Sequence, residues 1–414
     1  MMKILNLKIQ GYRSLKDVSW SPDDLNVLIG PNGSGKSNLL RVLELISVSA
    51  RGKLGKYIQR AGGMDPLVWD GKAECIKFVI DTSPVEKDRD LETDSLTYEM
   101  EMGRVGKGST YRIDHELLGN YYRVKTGERN EPFKLLERNP QRAVVFDERE
   151  HGFAAPEESV IEEESLLSLT AGPFTQNRFI PPFQKYMAEW SIYHDLHVNM
   201  DAAIRQPTVA RHETRVEPDG QNLISVLHTL YTGDRNFKND INLAMRAAFG
   251  DDFDELVFPP AADQRIQLRV RWKTLSREQS AADLSDGTLR FLFLLTVLAS
   301  PNPAPLIAID EPETGLHPSM LPIVAEYAVD ASERTQVILT THSPQFLDAF
   351  QDVVPVTTVV KWAEGKTDLQ NVEGKQLERW LKAYSLGALF RSGELESGLA
   401  EDDIDSDADR EGAE

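Results

Sequence analysis

The chain has 414 residues, enough for two or three domains, and its 41% hydrophobic and 27% charged content is that of an ordinary globular protein. Its longest uncharged apolar run in the C-terminal half, residues 291–299, falls far short of the roughly 20 residues a membrane span needs, so no membrane role is expected. The formal net charge of −20 argues at first sight against nucleic acid, but 392–414 holds ten Asp/Glu against one Arg and so supplies about −9 of it.

The opening Met2-Lys3-Ile4-Leu5-Asn6-Leu7-Lys8-Ile9-Gln10 alternates apolar and polar residues and predicts a strand; it lacks the long apolar core and cleavage site of a secretory leader. A turn over 11–17 follows. Leu25-Asn26-Val27-Leu28-Ile29 reads as a short buried strand, and apolar residues at helical spacing in 38–46 predict a helix. Between them, Gly30-Pro31-Asn32-Gly33-Ser34-Gly35-Lys36-Ser37 matches G-x-x-x-x-G-K-[ST] in full. Glycines let backbone N–H groups turn toward a phosphate, and unpaired helix-terminal amides favour its charge. Lys36 would reach the β- and γ-phosphates of a nucleoside triphosphate, and the Ser37 hydroxyl would hold Mg²⁺.

Further along, Cys75 stands in a predicted strand over 75–80, where it reads as a small buried hydrophobe. As the only cysteine it excludes an internal disulfide and a zinc site of several thiolates, and the expected compartment is a reducing cytoplasm. Between 82 and 149, short alternating runs separated by Gly-rich turns predict antiparallel hairpins. Helices are expected over 157–169, 183–190 and 222–231, then a strand over 265–274. A helix over 288–298, a strand over 306–309, a helix over 318–332 and a strand over 336–340 complete the pattern. Strands alternating with helices at both ends imply an α/β core interrupted by other material. The expected organisation is a core part over 1–50, an inserted β-rich and helical lobe over 51–280, a second core part over 281–391, and a disordered acidic tail over 392–414.

The second core part carries its own chemistry. Leu306-Ile307-Ala308-Ile309-Asp310-Glu311-Pro312 is an apolar strand ending in two carboxylates. Asp310 is placed to hold Mg²⁺, directly or through water, and Glu311 to orient and deprotonate an attacking water. Leu284-Ser285-Asp286-Gly287-Thr288 stands at a predicted helix start, where Ser and Asp also serve as ordinary caps. Downstream, the strand over 336–340 runs into Thr341-His342-Ser343.

Taken in order, these segments resemble the ATP-binding-cassette ATPases, and within them the RecF/SMC-like branch. Leu284-Ser285-Asp286-Gly287-Thr288 resembles the signature motif, Asp310 and Glu311 the Walker B aspartate and catalytic glutamate, and His342 the switch histidine. Glu313-Thr314-Gly315-Leu316-His317-Pro318 is similar to the form found in RecF-like AAA-type ATPases and in overcoming-lysogenization-defect nucleases, as is the early Tyr12-Arg13-Ser14-Leu15. The resemblance implies a P-loop NTPase of ABC/SMC-head type with a mixed-sheet core. It implies ATP and Mg²⁺ as cofactors, with Glu311 and His342 catalytic and Ser37 and Asp310 on the metal. The nucleotide would be bound by Arg13, Asn32, Gly33, Ser34, Gly35, Lys36, Ser37 and Asn38, with Ser285 and Gly287 from a second copy. A homodimer closing two ATP molecules between two heads is then the simplest assembly. The family's Q-loop residue falls within 192–207, with Gln206 a guess.

What the heads act on stays open. The 265–273 strand puts Arg265, Gln267, Arg269, Arg271 and Lys273 on one face, which suits either a phosphate-contacting stripe for DNA or RNA or a solvated sheet face. Arg205, Arg211, His212 and Arg215 form a second basic cluster, and His194 and His197 without a third ligand read as a surface or core pair rather than a metal site. Long heptads, a Cys-x-x-Cys hook and room for a nuclease domain after His342 are all absent, which implies an effector on a separate polypeptide. Three functions follow: a dimerising ATPase of DNA repair or anti-phage defence, a transporter ATPase, or a slowly hydrolysing nucleotide-switched scaffold.

Overall fold

The computed structural model describes residues 2–83, 93–106, 110–122, 132–155, 161–172, 177–350, 353–372, 385–393 and 395. Nearly all of the acidic tail lies outside the described residues. The chain divides into two compact units, Met1–Asp23, Gly30–Trp190 and Val360–Asn371 in the first, and Asp24–Ile29, Ser191–Val359 and Val372–Glu414 in the second.

In the first unit, alternating sequences build one antiparallel sheet. Its strands run in the spatial order Leu15–Trp20, Ile4–Tyr12, Cys75–Thr82, Thr93–Arg104, Tyr111–Tyr122, Phe133–Asn139, Arg142–Asp147 and Gly152–Ala154. Alternation sets the faces: along Cys75–Thr82 every second residue, Ile76, Phe78, Ile80 and Thr82, is buried, while Cys75 is half-buried. The predicted hairpins of 82–149 are this sheet's central and outer strands. The helix Lys36–Ala50 buries Leu39, Leu40, Val42, Leu43, Leu45 and Ile46, each such burial contributing about 1.5–3 kcal/mol. Arg51 holds that helix to the end of helix Ile180–Ala188 by donating to the carbonyls of Ala188 and Trp190. The helix expected over 157–169 is shorter. It spans Leu166–Thr170 because Ser165 caps it, and the buried Glu116 carboxylate accepts the Leu166 and Leu167 amides at 2.7 and 2.9 Å; residues 156–160 lie outside the described residues.

In the second unit, parallel strands lie in the order Ser191–Tyr193, Leu306–Asp310, Gln336–Thr341, Leu25–Ile29 and the start of Val356–Ala363. Gln336–Thr341 and Leu25–Ile29 are buried throughout, as strands of a covered parallel sheet must be, which is why they read as unbroken apolar runs. Helices Leu223–Gly233, Arg235–Phe249, Asp286–Leu298 and Leu321–Ser332 supply most of the remaining core. The expected strand over 265–274 is two strands: Arg265–Ile266 pairs with Thr208–Val209, and Arg269–Trp272 with Phe253–Val257. The chain changes partners at Gln267 and Leu268, a switch that periodicity does not register.

Candidate functional site

The first unit holds a glycine loop with little room for anything but glycine. Gly30, Gly33 and Gly35 have φ of 148°, 82° and 113°, values that residues with a Cβ rarely adopt. A Cβ on Gly30 would stand 2.2 Å from the Val360 carbonyl oxygen, and one on Gly35 2.1 Å from Thr367 Oγ1. At Gly33 nothing lies within 4 Å, so this side of the loop is open. Lys36 is buried, and its Nζ donates to the carbonyls of Gly30 at 2.7 Å and Pro31 at 3.1 Å, which folds the ammonium over the loop. The helix behind it starts after Gly35 without any side-chain cap, a helix N-terminus of the kind that suits an anion.

Hydroxyls brace this loop from behind. Thr367 Oγ1 lies 2.8 Å from the Ser34 carbonyl and 2.7 Å from Ser14 Oγ, and Asn38 Nδ2 donates to Ser14 Oγ at 2.8 Å. Asn38 therefore supports the loop, whereas Asn32 and Gly33 are exposed at its tip and Ser37 is half-buried on the first helical turn. Ser34 Oγ is buried with no hydrogen-bond partner. Arg13 stands in the left-handed region at φ 46°, its amide fixed by the Leu67 carbonyl at 2.7 Å.

The second unit gathers acids and imidazoles at the carboxyl ends of its strands, where open α/β sheets bind ligands. Asp310 stands opposite Thr340 on the neighbouring strand, whose hydroxyl donates to Asp310 Oδ1. The Glu311 amide donates to Thr340 Oγ1 at 3.0 Å and to its carbonyl at 3.2 Å. These bonds hold Glu311 at φ 48°, a left-handed conformation that costs a non-glycine residue about 1–3 kcal/mol. Glu311 Oε1 then lies 3.2 Å from His342 Nδ1. His342 also stands 3.9 Å from Glu313, whose side chain is only 8% exposed. An open cleft of about 660 Å³ is lined by Glu311, Glu313, Thr314, His342, Ser343, Pro344, Gln345 and Arg391.

Burial pushes the Glu313 carboxyl up, against hydrogen bonds from Thr341 Oγ1 and the His342 amide. A carboxyl raised in the folded state contributes stability below the ordinary glutamate pKa and loses it as pH climbs through the raised value. Glu313→Gln is therefore expected to lose less stability than the unmodified protein between roughly pH 5 and 8. Thermal melts at both pH values read this directly, and equal losses in the two proteins would contradict it.

Ser285 caps the helix Asp286–Leu298, its Oγ accepting from the Thr288 amide at 3.1 Å. A Cβ on Gly287 would stand 2.7 Å from the Gly315 carbonyl, so glycine is what lets the 313–318 turn pass here. Arg205, grouped in sequence with Arg211, His212 and Arg215 as a basic cluster, is only 4% exposed. It donates to the carbonyls of Val198 at 2.8 Å, Ala281 at 3.2 Å and Leu284 at 2.7 Å, and to the Asp286 carboxylate. Its charge is spent inside the fold, holding the start of the Ser285 helix. The Arg269–Arg271 stripe is likewise engaged: Arg271 pairs with Glu255 at 2.5 Å and Glu278 at 2.7 Å, and Arg269 meets Gln267 at 3.4 Å.

The model of the family described as "AAA domain, putative AbiEii toxin, Type IV TA system" matches residues 25–348, from the strand before the glycine loop past His342. The chain belongs to this family. Among solved structures it is similar to an SMC head bound to the C-winged helix domain of ScpA, with 17% identity over 91% of this chain and 99% of that one and a TM-score of 0.53. It is also similar to an SMC head domain with an extended coiled coil bound to the C-terminal domain of ScpA, derived from Pyrococcus furiosus, with 14% identity, 92% and 98% coverage and a TM-score of 0.51. No curated protein matches the chain. The fold of this AAA-family member is thus the SMC-head P-loop fold that its motifs imply. Among the described residues, no helix is long and apolar enough to cross a membrane.

Two placements differ from the sequence reading. The short strand Ser191–Tyr193 pairs in parallel with Leu306–Asp310, Tyr193 opposite Ile309, which sets His194 beside Asp310 with Nδ1 3.8 Å from Oδ2. The His194/His197 pair is therefore split: His194 joins the acidic cluster, and His197 is exposed. Gln206 is also exposed and follows the 3₁₀ turn Ala203–Arg205, well past that strand's end. Among the described residues no three His, Cys, Asp or Glu side chains are grouped to hold a metal alone. A metal carried by nucleotide needs only one or two protein donors, because phosphates and water complete its shell, and the oxygens of Ser37 and Asp310 are of the hard type Mg²⁺ takes.

Proposed function

We propose that this AAA-family protein binds ATP with Mg²⁺, hydrolyses it, and uses the cycle to close and open a dimer of its heads. The observation that carries this reading is the convergence of Asp310, Glu311 and His342 at the ends of two adjacent parallel strands, with Glu311 held in a strained conformation 3.2 Å from the imidazole. By itself the glycine loop of the first unit, with the Lys36 ammonium folded over it at a helix start, is suited to phosphates. Gly33, Ser34, Gly35, Lys36 and Ser37 would bind the triphosphate, with Arg13, Asn32 and Asn38 shaping or flanking their loop. Ser37 and Asp310 would hold Mg²⁺, whose charge, when bound, stabilises the phosphates. Glu311 takes a proton from the attacking water, and His342 steadies the carboxylate and the terminal phosphate.

The signature segment supports the dimer. Ser285 and Gly287 stand at a helix start, a place suited to an anion, and the family resemblance assigns them to the partner copy's nucleotide. Loss of the γ-phosphate contact would then let the heads part. Downstream, we place the protein in defence or repair of nucleic acid with a separate effector. The family's description as a component of a toxin–antitoxin system, and the SMC heads solved with ScpA domains, support a protein partner. Within the Arg269–Arg271 stripe Arg271 is already paired with Glu255 and Glu278, which weakens the case for it as a seat for DNA or RNA.

The test is phosphate release from ATP by the purified chain, measured alone and with DNA or RNA. Turnover that Lys36→Ala abolishes supports the reading. Binding of ATP without turnover, under every one of these conditions, would leave the scaffold function in its place.

A further inference from the structure

A directed chain of hydrogen bonds, its members all in the first unit, ends on the glycine loop. It starts from Thr367 on the strand Lys366–Val372, two residues past a turn in which Glu364 and Gly365 have φ of 51° and 77°. Trp69 Nε1 fixes that turn by donating to the Gly365 carbonyl at 3.1 Å, and the Thr367 amide donates to the Ser14 carbonyl at 2.8 Å. The Thr367 hydroxyl, in a residue only 1% exposed, lies 2.8 Å from the Ser34 carbonyl and 2.7 Å from Ser14 Oγ. Its single hydrogen cannot serve both. A carbonyl only accepts, so Thr367 donates to Ser34, Ser14 Oγ donates to Thr367, and Asn38 Nδ2 donates to Ser14 Oγ.

This direction decides how one peptide of the loop faces. A trans peptide points its C=O and N–H to opposite sides, so drawing the Ser34 carbonyl toward Thr367 turns the Gly35 N–H away from that strand. Sterics alone would not hold it there, because glycine populates both signs of φ and the Ser34–Gly35 peptide could turn over at little cost. A Cβ on Gly35 would stand 2.1 Å from Thr367 Oγ1 and 2.9 Å from Ser14 Oγ, so the missing side chain is what admits the two hydroxyls. We infer that Thr367 is a positioning residue for phosphate binding, whose hydroxyl keeps the Gly35 amide presented to the phosphates of the nucleotide. This rests on the ATPase reading above. A donor fixed before the ligand arrives needs no reorganisation when it binds, which is where the hydroxyl gains affinity.

The experiment uses the full chain and two probes, ATP and inorganic pyrophosphate. Thr367→Val fills the same space without the hydroxyl and should weaken binding of both by about tenfold. Thr367→Ser, which keeps the hydroxyl, should restore it to within a few-fold. Turnover at saturating ATP should change little in either, since the contact serves bound substrate and transition state alike. A second readout follows the amide itself. Labelling serine at its carbonyl carbon and glycine at its nitrogen in cell-free synthesis selects the three Ser–Gly peptides, at Gly35, Gly393 and Gly398, and the resonance that Ser34→Ala removes is that of Gly35. It should shift when pyrophosphate binds the unmodified protein. Should Thr367→Val not fold, this shift and the weaker binding of Ser14→Ala carry the test. Thr367→Val protein that binds ATP as tightly as the unmodified one, or a Gly35 resonance that bound pyrophosphate leaves in place, overturns the role of Thr367 alone. Failure of the unmodified protein to bind ATP overturns the ATPase reading, and this inference with it.

Discussion

Glu311→Gln is expected to lower ATP turnover by about 10²- to 10⁴-fold while leaving ATP affinity within a few-fold of the unmodified protein. The substitution keeps the shape and the hydrogen bonds of the Glu311 amide to Thr340, so the loop geometry survives. What it removes is the carboxylate 3.2 Å from His342 that, on the proposed reading, takes the proton from water. His342→Ala should show a smaller loss, because that ring touches the carboxylate and does not itself receive the proton. Single-turnover phosphate release separates the two variants. A Glu311→Gln protein that hydrolyses ATP at a rate close to the unmodified one would remove Glu311 from the chemistry.

Arg205→Ala should be the most destabilising single change near the site, by about 3–5 kcal/mol in urea unfolding. Arg205 is 4% exposed, and its guanidinium serves four main-chain carbonyls and the Asp286 carboxylate, all of which lose their donor together. Arg205→Lys keeps the charge but not the planar fork and should lose less. Since Arg205 holds the residues leading into Ser285, the surviving folded fraction should also show weaker ATP-dependent association. A loss below about 1 kcal/mol would mean that water replaces these bonds at little cost.

The parts of the site that were legible in the sequence are those whose chemistry is local. Strand, glycine loop and helix follow one another within about two dozen residues, and Asp310-Glu311 directly ends its strand, so periodicity and motif spacing place them. The bracing residues are different. Thr367 meets the Ser34 carbonyl from 333 positions away, and Arg205 reaches the signature segment from about 80, separations at which no local pattern exists. His194 escaped for another reason. The strand that places it, Ser191–Tyr193, has three residues, too few to show a period. The helix Arg235–Phe249 was not among the expected elements, although Asp234 caps it and Phe237, Ile241, Ala244 and Met245 make its buried face at helical spacing. Basic residues left their role open because charge in sequence says nothing of partners; Arg205 and Arg271 are held by carbonyls and carboxylates that lie far off in sequence or on or beside neighbouring strands.

The most direct measurement of the ATP-closed dimer is the solution mass of the Glu311→Gln protein in saturating ATP and Mg²⁺. Mass photometry or light scattering should give twice the 46.5 kDa of the chain, returning to the monomer mass without nucleotide or with Ser285→Arg. A particle that keeps the single-chain mass in saturating ATP at high protein concentration would contradict the sandwich.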